Sequence, residues 1–283
     1  LWSPGNYTTA TIAAITSGIY HVTVTDAMGC SSVGIASVND VSGPQVNISN
    51  SQPPSCFGSH DGWISVTVTG GQAPYLYAWY PYGGNSDTAH FLGAGTYSVV
   101  VSDANGCQGA TSINPPLTQP EAISIVSFPT NVSCFGASNG SVNINVSGGT
   151  PPYSYQWSPG NYTFPNLIGL SEGAYQVTVT DSHNCTETYF VNISQPNPLT
   201  ATISNVQHVS CYGGHNGSIT VNPQGGTPPY SYLWSPSGNT SQTASGLSAG
   251  THTVYINDAN GCSFSLSVQI NQPPILNAFI GLQ

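Results

Sequence analysis

The segment CFGASNGSVNINVSGGTPPYSYQW, residues 134–157, decides the fold because it recurs twice at a fixed distance. Its copies are CFGSHDGWISVTVTGGQAPYLYAW at 56–79 and CYGGHNGSITVNPQGGTPPYSYLW at 211–234. Their starts are 78 and 77 residues apart (134 − 56 and 211 − 134), which indicates a tandem repeat. A second segment, such as LSEGAYQVTVTDSHNC at 170–185, completes each unit and occurs four times.

The Pro-rich stretches NPPLTQP, SQPNP and NQPP separate these units, as is typical of domain boundaries. They predict three whole repeats flanked by two partial ones, the carboxyl-terminal part of a repeat and the start of the next. The five predicted segments are 1–43, 44–119, 120–197, 198–274 and 275–283. Because the first and last segments are partial, we expect the sequence to be a piece of a longer array.

The composition excludes several classes of function. The chain has ten carboxylates and no Lys or Arg, and only 4% of its residues are charged against a usual quarter. Without cationic side chains it cannot neutralise nucleic-acid phosphates, form a Walker phosphate loop or supply the amine of a Schiff base. We expect no nucleic-acid partner, and no catalytic triad is discernible, so we predict that the protein is not an enzyme.

Strand and turn signals fill the repeat. Tyr175, Val177 and Val179 alternate with polar residues, as in a half-buried antiparallel strand, and Asp-Ala-Asn-Gly at 103–106 is a hairpin signal. No segment shows a helical period. Six or seven short strands in about 77 residues, with a Trp in a middle strand, predict an all-β tandem array of small immunoglobulin-like β-sandwiches. Tyr175 suits a tyrosine-corner position, which His252 takes in the last repeat.

Seven cysteines allow two pairing schemes that respect the repeat. Pairing within repeats joins Cys56–Cys107, Cys134–Cys185 and Cys211–Cys262, each 51 residues apart, and leaves Cys30 for a residue before the sequence. Pairing across the junctions joins Cys30–Cys56, Cys107–Cys134 and Cys185–Cys211. The Pro-rich boundaries favour the first scheme, one disulfide per domain, which would stabilise each repeat by about 4 kcal/mol. Disulfides indicate an oxidising compartment.

The motif C-F/Y-G-x-x-x-G, followed by G-G-T-P-P-Y-x-Y-x-W and G-x-Y-x-V-x-V-x-D-x-x-G/N-C, resembles the SprB-type repeat. That repeat occurs in very large surface proteins of Bacteroidota, including gliding-motility adhesins exported by the type IX secretion system. The likeness covers three whole units and the flanking pieces. It implies a surface location and an adhesive or structural role, and it provides no catalytic residues.

Asp26, Asp103, Asp181 and Asp258 recur at the start of the hairpin turn. We interpret them as acceptors for backbone amides of the turn, as Asp side chains commonly are. Calcium at a domain end is the alternative, although calcium prefers six to eight oxygen ligands and usually several carboxylates. We therefore expect no cofactor and keep calcium as the one alternative.

The surface is predicted to carry covalent glycans, which would keep a chain with few charges soluble. Asp87-Thr88-Ala89 resembles the O-glycosylation motif of Bacteroidota, with Thr88 in a predicted loop. The Asn-x-Ser/Thr sequons are Asn6, Asn47, Asn131, Asn139, Asn145, Asn161, Asn184, Asn192, Asn216 and Asn239.

Together these patterns predict an extracellular protein, secreted or attached to the cell surface, whose repeats form the stalk or fibre of an adhesin or filament. Its partners would be neighbouring repeats of the same chain and other copies in a filament; no segment of this sequence is expected to span a membrane. The alternative is a module that binds carbohydrate or a partner protein through its loops, for which Tyr7, Tyr80 and Tyr82 are candidate exposed aromatics.

Overall fold

The computed structural model describes residues 1–278 and consists of two compact units, Leu1–Glu121 and Ala122–Gln283. Its described residues form strands, turns and bends, without a helix. Correspondingly, that part of the chain offers no helical segment with the length and apolar character needed to cross a bilayer. The predicted start of a further repeat at 275–283 lies partly outside the described residues.

The unit Leu1–Glu121 contains nine strands. The first sheet has the order β1-β2-β3, and the next two have the orders β4-β5-β7 and β6-β8-β9. These strands are β1 Trp2–Ser3, β2 Gly18–Thr25, β3 Ser31–Val38, β4 Gln45–Gln52, β5 Gly62–Thr69, β6 Leu76–Tyr80, β7 Thr88–Leu92, β8 Ser98–Ser102 and β9 Gln108–Ser112.

The described residues of the unit Ala122–Gln283 form twelve strands in four sheets of three. The first six strands are β10 Ser124–Thr130, β11 Gly140–Ser147, β12 Ser154–Ser158, β13 Leu167–Leu170, β14 Gly173–Thr180 and β15 Thr186–Ile193. The other six are β16 Thr200–Gln207, β17 Gly217–Gln224, β18 Ser231–Ser235, β19 Thr243–Leu247, β20 Gly250–Asn257 and β21 Ser263–Ile270. We call the β10–β15 and β16–β21 segments the third and fourth repeats, and β4–β9 the second repeat.

Each whole repeat has the strand topology of an immunoglobulin-like sandwich. In the third repeat the sheet orders are β10-β11-β13 and β12-β14-β15, with all pairs antiparallel. These sheets correspond to strands A-B-E and C-F-G of that fold, without strand D. The predicted all-β, immunoglobulin-like architecture is therefore confirmed.

The cores lie between the paired sheets of each repeat. In β14, Tyr175, Val177 and Val179 are buried while the residues between them are half-exposed, so the predicted alternation is confirmed. Trp157 in the middle strand β12 is fully buried, and its indole N–H donates to Phe164 O at 2.9 Å. Burial of such a side chain stabilises a fold by roughly 1.5–3 kcal/mol or more, so small cores of this kind suffice for a short repeat.

Candidate functional site: the junction between two repeats

A repeat has two different ends, which are clearest in the third repeat. Its turn end is the loop 131–139 between β10 and β11, where Val132 N donates to Ser194 O at 3.1 Å. Its hairpin end is the loop 181–185 between β14 and β15, where Asp181 accepts the N–H of Thr150 at 2.8 Å. Strand β11 runs between the two ends for eight residues, which is about 26 Å of extended chain.

A disulfide joins the turn end of the third repeat to the hairpin end of the fourth. Cys134 is bonded to Cys262, 128 residues later, with their Cα atoms 5.7 Å apart. Beside the bond, the Asn260 side-chain N–H donates to Ser133 O and to Thr227 Oγ1, both at 3.0 Å. The third and fourth repeats are thus connected by a covalent bond and a hydrogen bond in addition to the polypeptide itself.

The prediction of one disulfide within each repeat is wrong. Cys134 bonds Cys262 and not Cys185, while Cys107 and Cys211 are free together with Cys30. The physical reason is distance, because the two cysteines of a repeat lie at opposite ends of a strand about 26 Å long, whereas a disulfide requires Cα atoms within about 7 Å.

The scheme that pairs neighbouring cysteines across the junctions is wrong as well, since it would join Cys107 to Cys134 and Cys30 to Cys56. Cys56 and Cys185 are each disulfide-bonded. Bonded cysteines therefore occur at both kinds of repeat end. Cys56 lies at a turn end, and Cys185 lies at a hairpin end.

The turn end is held by one side chain. Asn139 Oδ1 accepts the N–H of Ser133 at 3.0 Å, and its Nδ2 donates to the Ser133 hydroxyl at 2.7 Å. Asn216 makes the same pair of bonds in the fourth repeat. In the second repeat Asp61 takes this place, and hydrogen bonds donated first of all by the Ser55 hydroxyl hold the pKa of Asp61 far below its usual range. Each turn cysteine thus follows a serine that is fixed in position.

The hairpin end is held by a buried aspartate. Asp258 Oδ1 accepts the N–H groups of Asn260 at 2.9 Å and Cys262 at 2.8 Å, while Oδ2 accepts that of Thr227 at 2.8 Å. The same three-bond arrangement occurs at Asp103 and Asp181. Burial raises the pKa of these carboxyls, but the backbone N–H donors outweigh it and lower their pKa overall. The predicted role as amide acceptors is confirmed.

The same aspartates explain the Gly-Gly pair of the repeat. Gly226 has φ +60°, and a Cβ built on it would lie 2.8 Å from Asp258 Oδ2, so a side chain would displace the carboxylate. The N–H groups around each carboxylate carry positive partial charge, which disfavours a cation there. Among residues 1–278 no three His, Cys, Asp or Glu side chains come together as metal ligands. Calcium stays an untested alternative, also at Asp26, whose Oδ1 accepts the N–H groups of Met28 and Cys30 at 2.9 Å.

The tyrosine corner is confirmed. Tyr20, Tyr97 and Tyr175 are buried, and each hydroxyl donates to the carbonyl four residues earlier, at 2.7, 3.2 and 3.1 Å. His252 keeps the same bond, with Nε2 2.9 Å from Ser248 O. Its Nδ1, however, is buried without a hydrogen-bond partner. The imidazole therefore substitutes for the phenol incompletely.

The candidate sugar-binding tyrosines do not form a uniform surface. Tyr7, Tyr80 and Tyr82 are 43%, 56% and 46% exposed. Tyr82 packs edge-on against Tyr97 with ring centroids 5.5 Å apart, and the two hydroxyls form a hydrogen bond of 2.8 Å. Burial, followed by this bond, raises the pKa of Tyr97 to about 12. Tyr82 thus covers the tyrosine corner of the second repeat.

The candidate glycosylation residues differ in how free their side chains are. Thr88 lies at the start of β7 and not in a loop, and its hydroxyl donates to Asp87 at 3.1 Å. Asn139 and Asn216 use Nδ2, the atom that would carry a glycan, to hold the turn end. The exposed candidates are Asn6, Asn47, Asn131, Asn139, Asn145, Asn161, Asn184, Asn192 and Asn216, whereas Asn239 is half-buried. Glycosylation at all of them stays a prediction.

Solved structures similar to this chain are distant. The N-terminal eight Ig domains of Down Syndrome Cell Adhesion Molecule isoform 1.30.30 show 11% identity and a TM-score of 0.40, with 93% of this chain aligned to 40% of that one. A tetra-tandem repeat in the extending region of a large adhesion protein shows 13% identity and a TM-score of 0.36, with coverages of 93% and 84%. Neither likeness assigns a function.

Surface layer protein SbsC, domains 1–6, is similar at 12% identity and a TM-score of 0.25, with 92% of this chain aligned to 45% of that one. Comparison with curated proteins gives no match. The family model described as SprB repeat matches three segments, residues 48–84, 126–162 and 203–239. Each segment covers the first strands of one whole repeat, from β4, β10 or β16 through the buried Trp. Three tandem segments of this chain therefore match the SprB repeat.

Proposed function

We propose that this chain is a load-bearing, non-enzymatic section of an extracellular surface protein, in which successive repeats form a stalk or fibre that holds a distal part away from the cell. The SprB repeats and the disulfides fit an extracellular or surface protein. The Cys134–Cys262 bond carries the proposal, because it connects the turn end of one sandwich to the hairpin end of the next.

The bond changes how tension passes through the two repeats. A force applied before Cys134 and after Cys262 is transmitted across the disulfide, so the 128 residues between them are withheld from extension. At about 3.3–3.6 Å per extended residue, this length is roughly 420–460 Å. The strand ladders of both repeats would break under load without lengthening the fibre by that amount.

Single-molecule force spectroscopy tests this role. The chain is stretched between attachment points placed directly before Cys134 and directly after Cys262, and the total extension is compared with that of a Cys134→Ser/Cys262→Ser variant. We expect the variant to extend further by roughly 420–460 Å. Cys107→Ser/Cys211→Ser is the matched control, because it removes one turn cysteine and one hairpin cysteine that are free. Equal extension of the natural chain and the first variant would refute a load-bearing bond.

A further inference from the structure

Two observations indicate that the cysteines of the array pair in a fixed register, by which we mean that a turn cysteine pairs with a hairpin cysteine at one constant separation along the chain. The turn ends of the second, third and fourth repeats have the same geometry, since Ser59, Ala137 and Gly214 donate their N–H groups to the carbonyls of Cys56, Cys134 and Cys211 at 3.0–3.1 Å. The hairpin ends are equally alike at Cys107, Cys185 and Cys262, each of which donates its N–H to the aspartate of its turn. The turn ends of the second and fourth repeats therefore have the same shape as that of the third repeat, whose Cys134 is bonded to Cys262.

A second side chain fixes each turn end. Gly58, Gly136 and Gly213 donate their N–H groups to the side-chain oxygens of Gln119, Gln195 and Gln272 at 2.8, 2.8 and 3.0 Å. These glutamines belong to the Pro-rich segments that follow each repeat. The fourth-repeat turn is thus as fully formed as the third, although Cys211 is free and exposed.

We propose that Cys211 is the docking thiol for the hairpin cysteine of a further SprB-type repeat, which it bonds as Cys134 bonds Cys262. A step of 128 residues, the separation of Cys134 and Cys262, leads from Cys211 to a position beyond residue 283. The same step from Cys107 or Cys30 toward the amino end leads to a position before residue 1. Within this sequence no cysteine lies at that step from any of the three free cysteines.

The free cysteines divide into two kinds of docking end. Cys211 presents a turn end, for which the partner is a hairpin end. Cys107 and Cys30 present hairpin ends, for which the partner is the turn end of a preceding repeat. Asn105 lies two residues before Cys107, and Asn260 lies two residues before Cys262. Asn260 donates to the carbonyl of Ser133, the residue that precedes Cys134. Asn105 is therefore placed to donate in the same way to the residue that precedes a turn cysteine bonded to Cys107.

Each bond forms by thiol–disulfide exchange with a small-molecule disulfide such as oxidised glutathione. The two cysteine thiols lose two protons and two electrons and form one S–S bond, while the glutathione disulfide is reduced to two glutathione thiols. This register is independent of whether the array bears load, because it depends on which ends meet and not on the force applied to them.

The test extends the natural chain. Residues 1–283 are followed by a second copy of residues 207–274, which continues the started repeat so that the hairpin cysteine of the copy lies 128 residues after Cys211, the separation found for Cys134 and Cys262. The protein is oxidised with a glutathione redox buffer, and free thiols are counted by alkylation and intact mass under denaturing conditions.

The register predicts that the extended chain has the same number of free thiols as the natural chain, and that Cys211→Ser raises that number by one, because the hairpin cysteine of the copy loses its partner. Pairing within the copy would instead lower the number by one in Cys211→Ser. Failure to dock would give the extended chain two more free thiols than the natural chain. Either of these results would overturn the proposal.

A second measurement needs no added sequence. In the natural chain, Cys134→Ser should raise the number of free thiols by one, because Cys262 is released, and Cys211→Ser should lower it by one. Peptide mapping after pepsin digestion, without reduction, should find Cys134 linked to Cys262; trypsin would not cut because Lys and Arg are absent from the sequence. A Cys134→Ser protein with fewer free thiols than the natural chain would refute the register.

Discussion

Removal of the disulfide between the third and fourth repeats should cost about as much stability as the most damaging single core substitution in either repeat. The Cys134–Cys262 bond closes a loop of 128 residues. On the chain-entropy model a loop of this length is stabilised by about 5 kcal/mol, through restriction of the unfolded chain. For a unit of about 150–250 residues this corresponds to a fall in Tm of about 10–20 °C in the Cys134→Ser/Cys262→Ser variant.

The measurement is calorimetry without reductant, with Cys107→Ser/Cys211→Ser as the matched control. Both variants lose one turn cysteine and one hairpin cysteine, but the control cysteines are free, so its Tm should stay within about 2 °C of the natural chain. We also expect the third and fourth repeats to melt in one transition in the natural chain and separately in the first variant. Equal Tm values for the two variants would refute the reasoning.

Three further predictions concern the supports of the repeat. Because their pKa values are lowered, Asp103, Asp181 and Asp258 contribute stability that is present above about pH 4 and is lost as the pH falls through their native pKa; Asp181→Asn should flatten the dependence of the urea midpoint on pH between 5 and 2. His252→Tyr should stabilise the fourth repeat by about 1 kcal/mol in urea unfolding, since it removes a buried Nδ1 without a partner, and Tyr175→His should destabilise the third by a similar amount. Trp157→Ala should cost about 3–5 kcal/mol in the same assay, whereas alanine at the half-exposed Trp63 should cost far less, and similar losses at both would contradict the predicted core.

The strands, the core and the local turn chemistry could be predicted because they depend on neighbouring residues. The alternation around Val177 follows from the two-residue period of a strand, and the role of Asp181 follows from its place before a hairpin. The bond made by Tyr175 reaches only four residues back. Each of these interactions is completed within one repeat, so the sequence of one repeat specifies it.

The disulfide register could not be obtained in the same way. The equal spacing of 51 residues between the two cysteines of every repeat is compatible with pairing within a repeat, but the strand pairing places Cys134 and Cys185 at opposite ends of the sandwich. That placement depends on how β10 and β15 pair with their neighbours in two different sheets, which the cysteine spacing does not encode. Asn139 illustrates the same limit, since its sequon predicts a glycan while its Nδ2 holds the turn.

The junction between the third and fourth repeats also explains how a chain without Lys or Arg joins its domains. Its contacts are a covalent bond and a hydrogen bond between neutral groups, Asn260 and the carbonyl of Ser133. Charged pairs at a surface weaken as salt screens them, whereas neither of these interactions depends on a net charge. The stability of this junction therefore does not depend on ionic strength, and the absence of cationic side chains does not weaken it. Its vulnerability is chemical, because reduction of the Cys134–Cys262 bond leaves the turn end of the third repeat and the hairpin end of the fourth without a covalent connection other than the polypeptide.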